Sequence, residues 1–302
     1  MPRIRGTITE HFIHAESIGS FLFNFTWIAL FITGLCFVGP GSASPLRELF
    51  NHDLPVWSYP LFLQNFSMAS QQAWGPAWMV VTWSLAVEEQ FYLLLPLLVR
   101  NLSWRRTAWV VVASIFCAPL VRIVLSLSGN QIIGPYTLLP SRADALGFGV
   151  LVALACRDKR AWEWFASHRR YLHLAFLLMA CGLVFLLKHE GYLYTFGLTW
   201  IAAFYALLLL LTVVGVGRAE TSCFRTKILV SLGTVAYAVY IFHLPINVLF
   251  HFAFFGRLPI INNWSSLSVT VSSLITVMFL AALSWRILEK PLIRHAHAIY
   301  HY

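Results

Sequence analysis

Charge is scarce in this 302-residue chain: Asp, Glu, Lys and Arg together make up 11% of it, against 59% hydrophobic residues. A soluble domain of this size carries about a quarter charged residues. So little charge cannot cover a surface facing water, and the mean hydropathy of +0.73 agrees. Cysteine is sparse as well. Cys36, Cys117, Cys156, Cys181 and Cys223 are scattered in or beside apolar stretches without CxxC spacing. That pattern argues against a disulfide framework and against a metal cluster, so no metal is expected. Zinc-finger spacing and a phosphate-cradling glycine loop are missing too. The formal charge of +9 is therefore not the signature of a nucleic-acid binder, and its distribution has another explanation below. Nor does the start read as a cleavable signal, because Arg3 and Arg5 are followed by Glu10, His11, His14 and Glu16 before an apolar run from about Phe21.

What fills the space is long apolar sequence. Candidate membrane spans are Phe21–Val38, Met79–Val99, Thr107–Leu127, Leu138–Cys156, Leu172–Leu187, Phe196–Val216, Ile228–Phe250 and Leu267–Leu288. Each is about long enough to cross, or nearly cross, the hydrocarbon layer as a helix. The expected fold is all-α, a polytopic transmembrane helical bundle of about eight spans. Between Pro40 and Pro76 the pattern breaks at Gly41-Ser42-Ala43-Ser44-Pro45, Pro55 and Pro60. Residues 40–76 read as an extracytoplasmic loop, with Trp57, Tyr59, Phe62 and Trp74 placed to rest against the bilayer surface. Thirteen basic residues fall on one side of these spans: Arg100, Arg105, Arg106, Arg157, Lys159, Arg160, Arg169, Arg170, Arg218, Arg225, Lys227, Lys290 and Arg294. The opposite connections hold Arg47, Lys188 and Arg257. By the positive-inside rule both termini are expected in the cytoplasm.

Four polar groups interrupt the apolar pattern. In Trp83-Ser84-Leu85-Ala86-Val87-Glu88-Glu89-Gln90-Phe91-Tyr92, the residues Ser84, Glu88 and Tyr92 recur at i, i+4 and i+8 and share a helical face. A carboxylate there needs water, a basic partner or a proton. Glu88 fits either a substrate-orienting role or an interhelical ion pair. In Ser141-Arg142-Ala143-Asp144-Ala145-Leu146-Gly147-Phe148-Gly149, Arg142 could bind a phosphate or pair with Glu88, and Asp144 could hold that arginine. Gly147 and Gly149 permit close helix approach. Arg122, in the preceding span, is expected to snorkel to an interface. In Tyr237-Ala238-Val239-Tyr240-Ile241-Phe242-His243-Leu244-Pro245, His243 follows Tyr240 by three residues. An imidazole there can exchange a proton or serve packing alone, and Pro245 is expected to bend or end the helix. Arg286 and Glu289 are three apart, with Pro291 marking a helix end and anchor.

Taken in this order, the four regions resemble the membrane-bound acyltransferase-3 family. The most specific match is Trp83-Ser84-Leu85 through Glu88-Glu89-Gln90-Phe91-Tyr92-Leu93-Leu94-Leu95-Pro96. Arg142 to Gly149, Tyr237 to Pro245 and Glu289-Lys290-Pro291-Leu292 follow it, and the resemblance spans about residues 60 to 294. It implies transfer of an acyl group, commonly acetyl, from cytoplasmic acyl-CoA to a hydroxyl of a cell-envelope saccharide or lipid-linked glycan, in a bacterial inner membrane. It implies catalytic roles for Glu88, Arg142 and His243, and supporting roles for Trp83, Ser84, Tyr92, Asp144, Tyr240 and Glu289. Acetyl-CoA is the expected donor and membrane lipids the expected surroundings, with no nucleic-acid partner. Residues 1–302 would form one integral-membrane domain of this family. Members of the family usually begin with two further helices carrying an arginine and a catalytic histidine. That pattern is expected to be missing here, since His11 and His14 lack its helical context. A catalytically inactive membrane protein with a binding or scaffolding role is the alternative expectation.

Overall fold

The computed structural model describes residues 54–129, 132–188, 192–217, 219–291 and 293–294. The candidate span Phe21–Val38, the start of the 40–76 loop, Cys36, His11 and His14 lie outside the described residues. Every regular element among the described residues is helical. A bilayer core imposes this, because a helix satisfies its own backbone N–H and C=O groups where no water can.

After a short 3-10 turn at Val56–Ser58 come α1 (Gln64–Gln71), α2 (Thr82–Asn101), α3 (Trp104–Leu127), α4 (Ile133–Thr137), α5 (Leu139–Arg157), α6 (Lys159–Ser167) and α7 (Arg169–Lys188). A π-helical turn, Leu193–Gly197, leads into α8 (Leu198–Val214). A 3-10 turn precedes α9 (Lys227–Phe255), and α10 (Trp264–Ser284) ends in a second π-helical turn at Trp285–Glu289. Among the described residues, six stretches are long and apolar enough to cross a membrane: Trp104–Leu127, Ile133–Arg157, Arg169–Leu186, Leu193–Val214, Lys227–Phe255 and Trp264–Glu289. The chain is thus a polytopic, all-α integral membrane protein with about six such helices. α2 covers most of the expected Met79–Val99 span, yet it carries Glu88, Glu89 and Arg100 and is not one of the six. The Arg169–Leu186 stretch is only 6% buried within the protein, leaving Leu174, Leu177, Leu178 and Phe185 outward. So continuous an apolar face is stable against lipid and costly against water.

The chain divides into two compact units. Unit 1 comprises residues 1–92 and 231–302, and unit 2 comprises residues 93–230. In unit 1, Leu85 and Ile241 form a small core with Tyr237 and Phe242, and Val235, Ala238 and Ala281 form another with Met278 and Trp285. The segment before α2 is tied to it by amides. Gln64 Nε2 donates to the Thr82 carbonyl at 2.8 Å, while Gln90 Nε2 donates to the Phe62 carbonyl at 2.8 Å and to Asn65 Oδ1 at 3.0 Å. The expected loop therefore contains a helix, α1. Tyr59 is 2% exposed, so it does not rest on the bilayer surface, and burial pushes its phenol above the usual tyrosine range. Trp57 is exposed.

In unit 2, α3 packs along α5, and α8 packs against α5 and α7. Gly147 makes the first contact possible: a Cβ there would meet Ile115 Cγ1 at 2.9 Å. Nothing lies within 4 Å of a Cβ at Gly149, so that glycine is not at a close approach. Gly182 accommodates the Trp200 ring, whose Nε1 donates to the Met179 carbonyl at 3.0 Å. The linker between Arg157 and Arg169 is itself helical, with Asp158 capping α6 by accepting from the Arg160 N–H at 2.8 Å. Neither Pro245, expected to bend or end its helix, nor Pro291, expected to mark a helix end, ends one. α9 runs through Pro245 to Phe255, and Lys290 and Pro291 remain helical beyond the second π-turn. Inside a long apolar helix, the rest of the hydrogen-bond ladder and the lack of competing water outweigh one missing donor.

Candidate functional site

Polar side chains gather in each unit, and the two sets differ. In unit 1 the N-terminal half of α2 meets the middle of α9. Ser84 Oγ and Tyr240 Oη are 2.6 Å apart, although 156 positions separate them in sequence. Both hydroxyls also reach the Val81 carbonyl, Ser84 Oγ at 3.0 Å and Tyr240 Oη at 3.5 Å, so either can be the donor of the bond between them. His243 Nδ1 is 2.5 Å from the Tyr240 carbonyl, and the two rings are 5.6 Å apart. A carbonyl can only accept, so the neutral imidazole carries its proton on Nδ1 and keeps the Nε2 lone pair for a partner. His243 is exposed. Trp83 is buried beside this pair, and Glu88, Glu89 and Tyr92 follow on α2.

A second phenol of this unit, that of Tyr237, sits on α9 one turn before Tyr240, and Glu88, Glu89 and Glu289 are the carboxylates this unit holds among the described residues. Tyr237 packs against Leu85 and Ile241, which places it among the same helices as the Ser84–Tyr240 pair. Glu289 accepts from Ser284 Oγ at 3.0 Å. Arg286 and Glu289 both lie in the π-helical turn Trp285–Glu289.

Unit 2 contains the two arginines singled out in the sequence, Arg122 and Arg142. Arg122 does not snorkel: its side chain is 0% exposed and is paired with Asp144, Nη2 to Oδ2 at 2.8 Å. Nε donates to the Thr195 carbonyl at 2.7 Å, Nη1 donates to the Ser141 carbonyl, and Nη2 also donates to Thr199 Oγ1. Thr199 Oγ1 in turn donates to Asp144 Oδ2 at 2.5 Å. Asp144 therefore holds Arg122 and not Arg142. The cause is position: α3 and α5 meet closely at Gly147, and Asp144 lies one turn away on the same face. Arg142 lies over the Tyr136 ring at 5.5 Å, and Tyr136 meets Tyr194 edge-on at 6.3 Å. Glu88 belongs to unit 1 and Arg142 to unit 2.

Several of these residues escape a reading of sequence alone. Tyr237 looks like one more apolar-face aromatic. Thr195 and Thr199 have no motif, and only their i, i+4 spacing hints at a polar face. A second polar seam was readable from spacing: Asn247 and His251 on α9 face Ser273 and Thr270 on α10, with Ser273 Oγ donating to Asn247 Oδ1 at 3.1 Å and His251 Nε2 2.8 Å from Thr270 Oγ1.

Comparison with known proteins gives a consistent result. The acyltransferase-3 family model, described as an acyltransferase domain, matches residues 18–286. A protein of Bacillus subtilis (strain 168), named "Putative peptidoglycan O-acetyltransferase YrhL", is 26% identical over 299 residues, covering 93% of this chain. The chain spans about 40% of the length of that relative. No solved structure gives a significant match.

Proposed function

This chain belongs to the acyltransferase-3 family, and from that premise we propose that it transfers an acyl group from acyl-CoA to a hydroxyl of a cell-envelope saccharide. The name of the Bacillus relative supports an acetyl group and peptidoglycan as acceptor, and the family resemblance adds acetyl-CoA as donor and a lipid-linked glycan as the other acceptor class. The family match runs across both compact units, which supports a single acyltransferase domain.

The observation that carries the reading is the contact of His243 Nδ1 with the Tyr240 carbonyl. With Nδ1–H held by the Tyr240 carbonyl, Nε2 is a bare base on an exposed imidazole. In the proposed step the acceptor oxygen attacks the thioester carbonyl and its proton passes to His243 Nε2. The C–O bond forms, the C–S bond breaks, and the proton leaves with the thiol. Ser84 and Tyr240 hold the backbone turn and the imidazole in register, and buried Trp83 precedes Ser84 on α2 as a supporting residue. Glu88 orients the hydroxyl or the histidine, and Tyr92 and Glu289 set the local polarity. In unit 2, Arg142 supplies positive charge for the phosphates of the donor.

The excess of basic residues supports a cytoplasmic location for both termini and for the 157–170 segment, in a bacterial inner membrane. Impermeant thiol labelling of a cysteine placed at 163 checks this. Protection in intact cells is expected, and strong labelling from outside reverses the orientation. The function itself is tested in proteoliposomes with acyl-labelled CoA and glycan acceptors. Label is expected on the glycan as a base-labile ester. No transfer to any acceptor, with no donor binding, supports the non-catalytic binding or scaffolding role instead.

A further inference from the structure

Arg122 is built around a neighbour it does not touch through its charge. Its Nη1 donates to the carbonyl of Ser141, which belongs to the peptide plane joining Ser141 to Arg142. Its Nη2 binds Asp144, two residues beyond Arg142. The clamp thus grips α5 on both sides of Arg142. The same guanidinium fixes the π-turn through the Thr195 carbonyl, and Tyr194 on that turn meets the Tyr136 ring under the Arg142 guanidinium. One sealed side chain therefore sets both the backbone that carries Arg142 and the aromatic surface on which it lies. Asp144 neutralises Arg122.

We propose that Arg122, Asp144 and Thr199 form a positioning unit for Arg142 in acyl transfer, a reading that rests on the acyltransferase function above. The alternative is a polar network that serves folding alone. The two differ in what happens when the network is replaced as a whole. A buried ion pair exchanged for apolar residues of similar volume is often neutral for stability, whereas loss of one partner is not. The triple variant Arg122→Met, Asp144→Leu, Thr199→Val therefore separates folding from positioning.

In proteoliposomes the triple variant is expected to fold and to lose about 100-fold in kcat/KM, the scale on which a small misplacement acts. It should change kcat and KM in the same proportions as Arg142→Gln, and adding Arg142→Gln to it should cause no further loss. Wild-type kinetics in a folded triple variant, or losses that multiply with Arg142→Gln, overturn the proposal. If the triple variant does not accumulate, Thr199→Val keeps the ion pair and is expected to lose roughly fivefold in kcat/KM; unchanged kinetics there count against it equally. If the wild type transfers nothing, the acyltransferase reading fails by itself. The clamp is then tested by phenylglyoxal modification of Arg142, read by peptide mass: severalfold faster reaction in the variant is expected, and an unchanged rate refutes the clamp.

Discussion

The Arg122 cluster of unit 2 is sealed, whereas the His243 ring of unit 1 is open. Arg122 is fully buried and makes four hydrogen bonds to three other segments, including its ion pair. His243 is exposed, with one ring nitrogen committed to its own helix and the other presented outward. Burial of a charge demands saturation, because each unpaired group inside costs its full desolvation. A reacting group needs the reverse: one committed atom for orientation and one left for the substrate. The contrast teaches that an arginine inside an apolar helix is not by itself a site. Arg122 and Arg142 lie in adjacent spans, and only their surroundings separate a strut from a candidate catalyst.

The contrast can be broken or sharpened by substitution. The largest effect is expected from His243→Ala, with acyl transfer falling by about 10²–10⁴-fold while the thermal midpoint in detergent stays close to wild type. A comparable loss of stability would make His243 structural. Arg122→Ala is the mirror image. Leaving Asp144 buried and unpaired should destabilise unit 2 by about 3–5 kcal/mol, read as a lowered thermal midpoint and loss of protein from the membrane. Gly147→Ala should cost about 1–3 kcal/mol, since its Cβ would meet Ile115 Cγ1 at 2.9 Å and force α3 or α5 to shift. Tyr240→Phe removes the hydroxyl bonded to Ser84 and should cost only about 0.5–1.5 kcal/mol in stability, with the larger change in kcat. At the bottom of the scale is Lys159→Ala, which breaks an exposed pair with Glu163 at 3.8 Å and should leave thermal unfolding unaltered.

How much of this was legible before the fold depends on whether the physics is local. Span positions for α3, α5 and α7 to α10 follow from apolar runs, and the helices fall within a few residues of the expected bounds. The common face of Ser84, Glu88 and Tyr92 follows from helical period, and α2 contains all three. The partner of Asp144 does not follow, because Arg122 and Arg142 are chemically identical candidates. The choice is made by helix packing at Gly147 and by Thr195 and Thr199 from a third segment. The Ser84–Tyr240 bond is likewise non-local, and only the family pattern put the two on one map. The π-turns were not legible at all. They arise where a carbonyl or side chain is drawn to a tertiary partner, as the Thr195 carbonyl is to Arg122.

Chemical rescue tests the central claim most directly. Acyl transfer by His243→Ala is measured in proteoliposomes with and without added imidazole, beside the wild type. The open base in unit 1 predicts a deep loss in kcat that imidazole partly restores, with no rescue of Arg142→Gln under the same conditions. A folded His243→Ala protein that transfers acyl groups at the wild-type rate would contradict the account.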